Sequence, residues 1–72
     1  MVDVWNQRAV TAGETMAERL SMRPRTTKAI EAGLKAFETD LYMAFVDHDA
    51  PNPDVLVALA VTTARRKLQQ LH

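Results

Sequence analysis

Apolar positions along the chain recur at intervals of three and four, the period of an amphipathic helix, and no alternating β-branched run of useful length competes with it. Trp5, Ala9 and Ala12 fall on one face of a first helix over about Asp3–Thr11, with Asp3 as its N-cap. The step Ala12-Gly13 predicts a break, because glycine costs about 1 kcal/mol in a helix relative to alanine. A short second helix, Glu14 to Ser21, carries Met16, Ala17 and Leu20. Pro24 cannot continue that helix and suits the first position of a new one. A third helix is therefore expected from Pro24 to about His48, with the inward stripe Ile30, Leu34, Phe37, Leu41, Ala44 and Phe45.

The segment "HDAPNPDV" ends that helix. Pro53 restricts Asn52 to extended angles, so Asn52 is expected to cap a last helix, with Pro53 first and Asp54 at the positive end of its dipole. This helix runs from Pro53 to about Leu71 on the stripe Leu56, Val57, Ala60, Val61, Ala64, Leu68 and Leu71. Arg65, Arg66 and Lys67 suit its negative end. The fold class that follows is all-α, a small bundle of three to four helices in a single domain spanning 1–72.

Seventy-two residues make a small core, so added support from self-association is expected, since there are no cysteines for disulfides or thiolate metal sites. No apolar run approaches the ~18 residues of a membrane span. The opening "MVDVWNQR" lacks the basic-then-apolar order of a secretion signal, and the expected location is cytoplasmic. Nine Lys+Arg balance nine Asp+Glu, so any nucleic-acid role must come from how the charge is distributed.

The stretch "TMAERLSMRPRTTKAIEAGLKAF", Thr15 to Phe37, meets the requirements of a helix-turn-helix. Ala17 is the small residue where two helices cross. Met16 and Leu20 are its apolar flanks, Met22 plugs the turn, and Ile30 and Leu34 face inward. Arg25, Lys28, Ala32 and Lys35 then face outward, with Arg23 in the turn. Arginine suits bidentate bonds to guanine, and Lys and Thr suit phosphates.

"AERLSMRPRTTK", Ala17 to Lys28, resembles the helix-turn-helix of LuxR/FixJ-type regulators, which often read A-E-R-L-x-[VM]-S-P-R-T-V-K. "KAIEAGLKAF", Lys28 to Phe37, is similar to the recognition helix of phage Cro repressors. Ser21 stands where glycine is common, and Thr27 where Val or Ile usually packs inward. The resemblance implies a sequence-specific DNA-binding regulator, a small bacterial or phage repressor. Its contacts to double-stranded DNA would be Arg23, Arg25, Thr26, Lys28 and Lys35, and it would need no cofactor.

Tyr42, Met43, Val46, Val55 and Leu59 lie off the inward stripes and flank the "APNP" turn. They are expected to form a homodimer surface or to receive a protein partner. The alternative function uses the same residues: a small helical adaptor, co-chaperone or inhibitor. The outward face of Pro24–Lys35 discriminates the two, since a DNA reader needs it bare and basic. If the helices pack antiparallel, Arg19, Arg23, Arg25 and Lys28 gather at one pole, joined by Arg65, Arg66 and Lys67. Asp47, Asp49 and Asp54 gather at the other.

"DHD", Asp47 to Asp49, is not expected to chelate a metal, because neighbours on a helix point to different sides. Nothing resembles a catalytic constellation, and an enzyme is not expected. Trp5 is expected to anchor the core.

Overall fold

The computed structural model describes residues 2–22 and 26–71. Three helices follow one another: α1 (Val2–Ser21), α2 (Thr27–Asp47) and α3 (Pro53–Leu71), with no strand among the described residues. The bundle is elongated, 37 × 20 × 15 Å.

The expected break at Gly13 does not occur, and the two predicted N-terminal helices are one. The reason lies in α3. A side chain at Gly13 would run into the Ala60 carbonyl oxygen, so the missing Cβ is what lets the two helices approach. Ala9, Gly13 and Ala17 repeat at every fourth position of α1, and Ala60 and Ala64 do the same on α3. All four alanines are inaccessible to solvent. Close approach along this small-residue seam offsets the helix cost of the glycine. Asp3 consequently lies inside the first turn of α1 rather than at its cap.

The core forms two clusters along the bundle. Ala9, Phe45, Ala50, Leu56, Val57 and Ala60 make one. Ala17, Leu20, Leu34, Ala64 and Leu68 make the other. The pairing shows that α1 and α3 run parallel, in direct contact, while α2 packs across them in the opposite direction. Trp5 packs edge-on against Phe45, ring centroids 6.0 Å apart at 78°, as a core anchor should. The Arg8 guanidinium lies 5.1 Å from the Trp5 ring centroid and covers its outer face.

α2 starts at Thr27, not at Pro24. Thr26 is its N-cap, with extended backbone (φ −69°, ψ 157°) and a side-chain oxygen that accepts from Ala29 N–H at 3.1 Å. Arg23, Pro24 and Arg25 lie outside the described residues. Met22 does not plug the turn: it is 81% exposed. Leu20 fills that space, its methyl lying over Gly33. Ala44 and Leu71, expected on inward stripes, are exposed, the one in an open groove between α2 and α1, beside Leu41 and Met16, and the other in the last turn of α3.

At the far end His48 closes α2 through its backbone N–H, which donates to Ala44 C=O at 3.1 Å. Asp49 follows in the left-handed region (φ 56°), and its N–H reaches Val46 C=O at 3.1 Å. Ala50 N–H then reaches Phe45 C=O at 2.9 Å, completing a Schellman-type cap. Asn52 does not take the extended angles expected before proline. Its φ is 48°, and its carbonyl accepts from Val55 N–H and Leu56 N–H at 3.0 and 3.2 Å. The short connection must reverse the chain, and this backbone turn does what the side-chain cap was expected to do.

Candidate functional site

Counted along the sequence, every Lys and Arg except Arg8 falls within residues 14–35 and 61–71, where the only acids are Glu14, Glu18 and Glu31. The fold brings these segments together, because the end of α1, the start of α2 and the end of α3 share one cluster. The remaining six acids, Asp3, Glu38, Asp40, Asp47, Asp49 and Asp54, fall in the segments of the opposite half. Zero net charge thus conceals a molecule with one basic and one acidic end.

Two cations of the basic end are neutralised locally. Arg65 grips Glu31 with both terminal guanidinium nitrogens, at 2.7 and 3.1 Å. The hydrogen bonds from Arg65 hold the Glu31 carboxyl below its ordinary range, and the same bonds raise the Arg65 guanidinium. Lys67 donates to Glu18 at 2.9 Å, which raises its ammonium above the usual lysine value. No sequence pattern announces these pairs, since partners so far apart in the chain meet only through α3. Among the described residues Arg19, Lys28, Lys35 and Arg66 make no ion pair.

Thr27, Lys28, Glu31, Ala32 and Lys35 are all exposed, and of these Glu31 is held by Arg65 of α3. No acid stands in the first turn of α2 to neutralise its positive end. Of the predicted DNA contacts, Lys28 and Lys35 are accessible here, and Thr26 also serves as the cap. Arg23 and Arg25 lie outside the described residues. The two helices joined by the turn lie alongside each other in opposite directions. Leu20 meets Gly33 near the turn, and Trp5 meets Phe45 at the far end.

Of the five apolar residues predicted off the inward stripes near the "APNP" turn, four are exposed. Tyr42, Met43, Val46 and Val55 are all at least 45% exposed. Leu59 is the exception: it is half-buried and packs against the core cluster at that end of the bundle. A groove of ≈ 600 Å³ separates α2 from α3, with Tyr42 and Met43 on one wall and Val57, Ala58 and Asp54 on the other. It adjoins a second groove of ≈ 310 Å³ through Glu38, Thr39 and Val61, which reaches Lys35 and Arg65.

Among the described residues no three His, Cys, Asp or Glu side chains converge on a metal-sized site, and no helix is long and apolar enough to cross a membrane. The chain matches no protein-family model, no curated protein and no solved structure.

Proposed function

We propose that the chain binds double-stranded DNA with its basic end, as a small transcriptional regulator of the repressor kind. The observation that carries this reading is the gathering of cations at one end of a molecule with no net charge. Phosphate contacts supply the sequence-independent part of DNA affinity, and a basic end rather than a basic chain is enough for them. Lys28 and Arg66 would hold phosphates, and the positive N-terminus of α2 would add its own N–H groups. Arg25, by its resemblance to the regulators named above, would supply base preference.

Titration with mixed genomic DNA fragments at two salt concentrations tests this. Affinity that falls with salt and selects some fragments over others is expected. Absence of binding at low salt would remove the reading. The exposed apolar side chains Tyr42, Met43 and Val55 favour a second reading, a helical adaptor that engages another protein by that face.

A further inference from the structure

The turn between α2 and α3 folds against its own sequence. In "HDAPNPDV" Ala50 and Asn52 each precede a proline, which pushes the residue before it to extended angles. Each proline also fixes its own φ at an extended value. Left to these local preferences the segment runs straight on. The fold instead reverses the chain there with two left-handed residues, Asp49 at φ 56° and Asn52 at φ 48°. Neither is glycine, and an L side chain is strained at those angles even though Asp and Asn tolerate them best. Only residues 48–52 join the two helices. A short connection held in a conformation it does not prefer is the kind that opens by exchanging an element between copies.

We propose that residues 48–52 are a hinge, and that α3 is exchanged through it between two copies of the chain. With the hinge extended, the chain continues in the direction of α2 and α3 leaves its own bundle. The place it vacates is shaped for an α3. Gly13 admits the Ala60 carbonyl, and Leu56, Val57, Ala64 and Leu68 complete the two core clusters. Arg65 again meets Glu31 and Lys67 again meets Glu18, now between copies. The exchange therefore keeps the core and both ion pairs while it releases the reversal in both chains. It forfeits the cap bonds donated by Asp49 and Ala50, which water replaces at small net cost. Because α2 and α3 run in opposite directions within a bundle, the two bundles of an exchanged dimer abut at their turn ends. The result is a rod roughly twice the 37 Å length of one bundle. The exposed Val46 and Val55 flank the hinge and lie at that junction. Asp47, Asp49 and Asp54 of both copies also meet there, so salt, which screens them, favours the exchanged form.

The hinge is independent of the DNA reading, and its test contains no DNA. Refolding the full chain from urea at millimolar concentration should give a dimer, and refolding at micromolar concentration a monomer. The dimer, once isolated and diluted, should persist until warmed, because each α3 must leave a core before the copies part. Asp49→Gly and Asn52→Gly together ease the reversal and should raise the dissociation constant of the dimer roughly tenfold or more. The chain has no cysteine, so single thiols report which copies α3 joins. Glu18→Cys and Lys67→Cys stand on opposite sides of the α1–α3 contact. Refolded together at high concentration and treated with a short bismaleimide, the two variants should give a covalent heterodimer. Folded separately and then mixed, they should give none. A parent that stays monomeric, a dimer that falls apart at once on dilution, glycine variants that dimerise like the parent, or equal cross-linking in the two mixtures would overturn the proposal.

Discussion

Asp49 occupies a conformation that favours glycine, at φ 56°, because the cap of α2 needs a left-handed residue between His48 and the buried Ala50. An L side chain is strained there, and a carboxylate also sits at the negative end of the α2 dipole. Asp49→Gly should raise unfolding free energy by about 0.5–1 kcal/mol in urea titration. No gain would mean that the carboxylate has a favourable partner. The two glycines should behave oppositely. Gly13→Ala drives a methyl into backbone at the α1–α3 seam and should cost about 1–3 kcal/mol. At Gly33 the obstacle is only the end of the Leu20 side chain, 2.8 Å from where a Cβ would stand. There the better helix propensity of alanine offsets part of the strain, so Gly33→Ala should cost less than Gly13→Ala. Equal losses would contradict the difference between a yielding side chain and a fixed carbonyl. Glu31 adds a small pH dependence. Its folded pKa is lowered, so the Arg65 pair is fully stabilising above the unfolded carboxylate value and is lost as pH falls through the folded one. Glu31→Gln should flatten that acid limb of the stability curve, and an unchanged limb would mean the pair contributes nothing.

At the scale of elements, what can be read from the chain depends on where the cause lies. The limits of α3, Pro53–Leu71, are legible because proline and the apolar stripe act locally. The start of α2 is not, because the proline signal points to residue 24 while the hydroxyl of Thr26 accepts from Ala29 N–H and caps the helix there. The continuity of α1 is hidden altogether, since the residue that accommodates Gly13 is Ala60, on another helix. For the same reason Ala17 is recognisable as a buried crossing residue, while the neighbour across from it, Ala64 of α3, is not. Tyr42, Met43, Val46 and Val55 are readable as exposed because they lie off the inward stripes. The Glu31–Arg65 pair is not, because its partners meet only when α2 and α3 are packed together. Ala17→Leu tests the seam directly. The site is inaccessible and enclosed by Ala64 and the leucines of its cluster, so overpacking should cost about 1–3 kcal/mol and lower the melting temperature. A variant melting with the parent would show that α1 and α3 separate easily.

For the whole molecule, the partition of charge makes a prediction about DNA. Lys28→Ala should lower the slope of log affinity against log salt by about 0.9 for each phosphate it leaves without a cation. Arg8→Ala, at the acidic end, should leave that slope unchanged. Equal slopes for Lys28→Ala and Arg8→Ala would remove the basic end as the DNA-facing surface.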